Sequence, residues 1–146
     1  MKKLFVAVLA AGVFTTGLAY ADEIADRKAI MKQKVGASMG VLVKTAKGEM
    51  DYDTAAVVAA FQTMRDGTEG FVELFPAGTE TGGETTASAK IWEDMDGFKA
   101  AFAKFHTDLD GAIAAAPADK AAFDAQFKMV AANCGTCHET YRIKKQ

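Results

Sequence analysis

Two cysteines and a histidine near the C-terminus carry the clearest chemistry in this chain: Cys134-Gly135-Thr136-Cys137-His138. The form is C-x-x-C-H, which reads as covalent attachment of a c-type haem. Each thiol can add to one haem vinyl group and form a thioether. His138 then lies beneath the ring and can give the iron its proximal nitrogen. Cys134 and Cys137 are the only cysteines in the sequence, so both are used. A bare C-x-x-C leaves two other readings open, a redox dithiol and half a zinc site. Zinc would need two further ligands, and only His106 remains besides His138. A thioredoxin-like site would need a strand–helix–strand context, which is absent here.

His106 follows Phe105, one step off an apolar stripe, which places it on the surface or flank of its helix. Arg27 falls on an inward stripe, where a lone charge is expensive. A haem propionate can supply its anion, and so can an Asp or Glu of a neighbouring helix. Trp92 sits beside the apolar Ile91 and reads as a packing residue at a bundle end, against haem edge or propionate. Arg142, with Lys144 and Lys145, suits the negative end of a helix dipole. Glu93, Asp94 and Asp96 read as a solvated helix start. No paired carboxylates share an inward face, so the di-iron pattern of other bundles is missing. No nucleophile–base arrangement stands out, and the chain reads as a non-enzyme.

Four helices must position these residues. The first is expected from about Asp22 to Ala46, with Ile24, Arg27, Met31, Val35, Ser38, Leu42 and Ala46 on one stripe at spacings of three and four. Gly48 is a plausible C-terminal glycine, and Asp51 or Asp53 can cap the next helix. The second runs from about Thr54 to Leu74. Its face is Val57, Ala60, Phe61, Met64, Thr68, Phe71 and Phe75. Gly67 and Gly70 each weaken it by about 1 kcal/mol against Ala, and Pro76 ends it. The eleven residues Ala77 to Ala87 form one long polar loop. The third helix is expected from about Ser88 to Ala116, along Ile91, Met95, Phe98, Phe102, Phe105, Leu109 and Ile113. That aromatic stripe reads as core, not as a substrate site. Pro117 suits the first turn of a new helix. The fourth runs from about Ala118 to Ile143, with Phe123, Phe127, Val130, Cys134, Cys137 and Tyr141 inward. His138 is four residues after Cys134 and so on the same side. Helices of roughly 20–29 residues are about 30–43 Å long. The economical fold is all-α: an antiparallel four-helix bundle with the cofactor held between helices.

The first residues bear on the compartment. Lys2 and Lys3, the apolar run Leu4 to Leu18 and Ala19-Tyr20-Ala21 read as a secretory signal peptide over 1–21, too short in its apolar core to anchor the chain in a membrane. The mature domain is then 22–146, one domain with one core. Removing Lys2 and Lys3 leaves 15 basic residues against 19 acidic ones, a charge of −4. No basic patch dominates, so no nucleic-acid footprint is present. Export supports the haem reading, and the periplasm is the expected location.

The sequence resembles the cytochrome c′ family along the whole mature chain. The points of likeness are Arg27 with the apolar Met31 four residues on, Leu74-Phe75-Pro76-Ala77-Gly78 after the second helix, Ile91-Trp92 opening the third, and Cys134–His138 followed by Tyr141-Arg142. The resemblance implies one covalently bound haem c inside the bundle near one end. It implies His138 as proximal ligand, Arg27 near a propionate and Arg142 beside the proximal histidine. It also implies a homodimer through the first two helices. Met31 matches the position facing the distal side of the iron. Some members leave the iron five-coordinate there and bind NO or CO; a low-spin group uses a methionine as sixth ligand and carries electrons. Methionine also fills cores well, and Met39, Met50, Met64, Met95 and Met129 show free use of it here. Lys47-Gly48-Glu49 and Tyr52-Asp53 look like the low-spin members, whereas Pro76-Ala77-Gly78-Thr79 and Ile91-Trp92 look like the high-spin ones. The preferred reading is a periplasmic single-electron carrier with unidentified redox partner proteins. The alternative is a five-coordinate haem protein that binds NO or CO.

Overall fold

The apolar stripe from Ile24 to Ala46 folds as three consecutive helical segments. In the computed structural model these are α1 (Ala19–Ala29), a π-helical segment (Ile30–Gly36) and α2 (Ala37–Ala46). The structure describes residues 19–82 and 84–143; the expected leader up to residue 18, and Lys144 and Lys145, lie outside them. The π segment is a departure from the uniform helix that the periodicity predicts. Its origin is in the stripe itself. Arg27, Met31 and Val35 are separated by two successive steps of four, and an α-helix turns every 3.6 residues. A wider turn, closed by bonds from i to i+5, keeps both Met31 and Val35 on the inner side.

Gly48 ends α2 with φ of 72°, as a left-handed C-terminal residue. Asp53 caps α3 (Thr54–Gly67), its carboxylate accepting from Ala56 N at 2.9 Å. The second helix stops earlier than Leu74. Thr68 turns its hydroxyl back onto Met64 O at 2.7 Å, and Gly70 takes φ of 67°, so that Phe71–Leu74 is a separate 3₁₀ turn. The third helix is also divided. A single turn, α4 (Lys90–Glu93), breaks at Asp94, which caps α5 (Met95–Ala115) by accepting from Gly97 N at 3.2 Å. Asp119 caps α6 (Lys120–Tyr141) through Ala122 N at 2.8 Å.

The four rods close a ring: α2 packs on α3, α3 on α5, α5 on α6, and α6 back on α2. Leu42, Val57, Phe61, Met64, Leu109, Phe123 and Val130 fill its centre with no exposed surface. Each side chain of that size contributes roughly 1.5–3 kcal/mol by leaving water. The inner faces expected for the second and third helices are buried or half-buried throughout. Among the described residues no helix is long and apolar enough to cross a membrane. The loop before α4 is tied to the end of α6, where Ser88 N donates to Tyr141 O at 3.0 Å and Ile143 N to Thr86 O at 2.8 Å.

Candidate cofactor site

Cys134, Cys137 and His138 lie on the last turns of α6, one turn apart on its inner side. They form one wall of a cleft open to solvent on one side. Asn133 completes that wall. Ala101, Phe102 and Phe105 of α5 form the second, and Met31 and Val35 of the π segment form the third. Both thiols are half-buried, and His138 is exposed.

The electrostatics of the wall separate the readings of the C-x-x-C pair. Burial pushes the Cys134 thiol above its ordinary pKa; burial and then the neighbouring Cys134 do the same to Cys137. A reactive redox dithiol needs the opposite shift. Although His138 as a whole residue is exposed, desolvation of its ring at the cleft first, and then the charge of Arg142, hold the imidazole below its ordinary value, which favours the neutral ring used in metal ligation. Among the described residues no three His, Cys, Asp or Glu side chains gather as a metal-ion site. Two protonated thiols, a neutral imidazole and apolar walls in one cleft fit a haem c attached at Cys134 and Cys137.

The other sequence-predicted residues fall elsewhere. Arg27 is 5% exposed. Its Nε donates to Leu74 O at 2.6 Å, its Nη1 to Thr79 O at 3.3 Å and its Nη2 to Thr79 Oγ1. The guanidinium lies 4.0 Å from the Phe75 ring centre and 5.5 Å from that of Trp92. Its pKa is lowered by burial, against the raising effects of Glu23 and Glu80. Trp92 donates from Nε1 to Phe75 O and Pro76 O, both at 3.1 Å. Arg27 and Trp92 thus belong to one cluster around Phe75, and neither lines the cleft. Arg142 is exposed just beyond α6 and bridges to Ala87. His106 is half-buried between α5 and α3. The Thr68 hydroxyl donates to Met64 O and so accepts from His106 Nε2 at 2.9 Å.

Four members of the cleft, Ala101, Phe102, Phe105 and Asn133, were not legible as cofactor residues in the sequence. Phe102 and Phe105 read as core, yet they face the cavity as well. Asn133 carried no motif, although it precedes Cys134 directly. Its Nδ2 donates to Asp108 Oδ2 at 2.7 Å, and Lys104 Nζ donates to the same oxygen at 2.5 Å. Asp108 is three residues beyond Phe105, which sets it on the α5 flank turned toward α6.

Comparison with known proteins gives a consistent answer. A family model described as Cytochrome C' matches residues 22–142. A cytochrome c-556 from Agrobacterium fabrum is 43% identical over 144 residues, covering 98% of this chain and 97% of the relative. The solved structure of a cytochrome c′ from Rhodopseudomonas palustris superposes with a TM-score of 0.81 at 38% identity, over 86% of this chain and 98% of that one. The nitric oxide complex of a point mutant of a cytochrome c′ from Alcaligenes xylosoxidans superposes with a TM-score of 0.76 at 29% identity, over 86% and 97%.

Proposed function

The chain belongs to the cytochrome c′ family, and from that premise we propose that it is a single-electron carrier whose cleft would hold haem c on Cys134 and Cys137, with His138 and Met31 as the side chains that would bind the iron. The family is one of c-type cytochromes with covalently bound haem c, and electron carriage is the function its relatives support. Bound in the cleft, the haem would supply an iron that accepts and returns one electron. The chain supplies the rest. Two thiols on one helix face would hold the group covalently. His138, its imidazole held below the ordinary pKa by desolvation of the ring and by Arg142, presents a nitrogen lone pair. Phe102, Phe105 and Val35 line the cleft with apolar surface and would limit water access to the bound group, which narrows the reorganisation that accompanies a change of charge. Met31 offers a thioether, a ligand that raises the potential.

The observation that carries this reading is that Met31 lines the same cleft as Cys134, Cys137 and His138, from a different helix. It is tested by expressing the chain with a haem-attachment system and recording both oxidation states with and without CO. Expected are a sharp low-spin spectrum and a ferric methionine–iron charge-transfer band that Met31→Ala abolishes. A high-spin ferric spectrum that Met31→Ala leaves unchanged sinks Met31 ligation. It moves the protein to the five-coordinate, NO- or CO-binding reading, which the likeness to the Alcaligenes xylosoxidans nitric oxide complex supports.

The remaining roles belong to the same proposal. Arg142 acts beside His138. Arg27 and Trp92 hold the Phe75–Thr79 loop, and a propionate reaching Arg27 must share its bonds to Leu74 and Thr79. The chain transforms no substrate. Residues 1–21 direct it to the periplasm, a placement supported by a family match that begins at residue 22. Two copies pair through α1 to α3, which sedimentation of the haem-loaded protein checks.

A further inference from the structure

Gly67 closes the last turn of α3 in ordinary helical backbone; it is not among the glycines with positive φ. Nothing in its own conformation requires glycine there, and alanine would favour the helix by roughly 1 kcal/mol. Its neighbour explains the residue. A Cβ built on Gly67 would stand 2.6 Å from Lys34 Cβ and 2.7 Å from Lys34 Cγ. Lys34 Cβ is fixed to its backbone, so rotating the lysine cannot relieve such a contact. The helix carrying it would have to move.

That helix is the π segment, and Lys34 lies in it between Met31 and Val35, the two residues it contributes to the cleft. The segment has no fully buried residue of its own. The α-helical segments on either side do: Ile24 and Arg27 in α1, and Ser38, Leu42 and Thr45 in α2. With both flanks anchored, a push at Lys34 is absorbed by the π segment. π turns inside α-helices occur often at functional sites. Here the wider turn is seated directly against α3.

We propose that Gly67 is a positioning residue for the Met31 side of the cleft: its missing side chain lets the π segment approach α3, and that approach holds Met31 at the cofactor. The role of Met31 rests on the function proposed above; the steric part does not.

The test is a double-mutant cycle on the haem-loaded protein, read three ways: the ferric methionine–iron band, CO association with the reduced protein, and amide exchange of residues 30–36. Gly67→Ala is expected to weaken the band, to speed CO association at least tenfold and to speed exchange of the π segment at least tenfold. Lys34→Gly removes the opposing Cβ, so in that background Gly67→Ala should change none of the three. Gly40→Ala, in α2 with open space around its added Cβ, should match wild type. The proposal is overturned if Gly67→Ala keeps wild-type exchange and CO rates, or if its effect is as large in the Lys34→Gly background as with Lys34 in place. Should Gly67→Ala alone fail to accumulate as folded protein, recovery in the double variant supports the proposal and non-recovery overturns it. A wild-type protein with no methionine band removes the Met31 ligation while the exchange and CO rates still judge Gly67.

Discussion

Asn133 stands one residue before Cys134 and spends its amide on Asp108. The Asp108 carboxyl is nearly buried, and the hydrogen bond from Asn133, then that from Lys104, hold its pKa below the ordinary value against the opposing effect of burial. Lys104 is largely exposed, so its ion pair contributes little in water, and Asn133 is the partner that matters. A carboxyl whose pKa is lower in the folded state contributes stability above its unfolded pKa, about 3.9, and loses it as pH falls through the folded value. Asn133→Ala should therefore cost about 1–3 kcal/mol at neutral pH and shrink the stability lost on acidification below about pH 4, because the folded pKa of Asp108 moves up toward the unfolded one. Asp108→Asn should flatten the dependence of stability on pH below about 4. Urea unfolding between about pH 3 and 7 measures both. An Asp108→Asn protein with the wild-type slope would show that this carboxyl is not coupled to folding.

The elements join at the bundle end where the cofactor motif finishes. Tyr141, the last residue of α6, donates to Asp94 Oδ2 at 3.0 Å, while Asp94 Oδ1 caps α5. One carboxylate therefore ties the start of α5 to the end of α6. Tyr141→Phe should cost about 1–2 kcal/mol and Asp94→Ala about 2–3 kcal/mol, since the latter loses the cap as well. The double variant should cost less than their sum; strict additivity in denaturant titrations would rule the link out. Much of this level was legible beforehand. The stripe Val57 to Phe75 and the run Ile91 to Ile113 predict the buried faces because helix period and core contact coincide there. Asp94 was not legible as a break, because an acidic residue near a helix start serves equally as a solvated first turn. The π segment escaped because steps of four between Arg27, Met31 and Val35 fit an α-helical stripe within the tolerance of a periodicity argument. Asn133 and Asp108 escaped for a different reason: their bond joins residues 25 positions apart, and only the packing of α5 on α6 creates it. The motif Cys134–His138 needed no tertiary information to be read, but the wall facing it did.

At the scale of the whole molecule, the ring of helices is closed on one side by packed aromatic rings and on the other by the cleft. Phe71, Phe75, Phe98, Phe102 and Tyr141 touch one another with ring centres 4.9–5.4 Å apart, and Phe102 is also cleft wall. The cofactor face and the core are thus the same packed surface seen from two sides. Well-packed interiors transmit strain and tolerate few voids, so the cleft left without its haem should soften Phe102, Phe105 and the π segment together. The backbone hydrogen bonds and caps of α3, α5 and α6 do not depend on the cleft and should persist. The expected apoprotein, made by Cys134→Ala with Cys137→Ala, keeps its far-ultraviolet circular dichroism, loses near-ultraviolet signal and binds a hydrophobic dye, as loosely packed compact states do. Its stability should fall by at least about 4 kcal/mol, near the upper end of what one large-to-small core change costs, which lowers the melting temperature by roughly 15 °C. Cooperative melting of the apoprotein at the temperature of the haem-loaded chain would contradict this, because the bundle would then be complete without its cofactor. Retention of helix with loss of fixed aromatic packing would instead make the haem part of the core that α5 and α6 share.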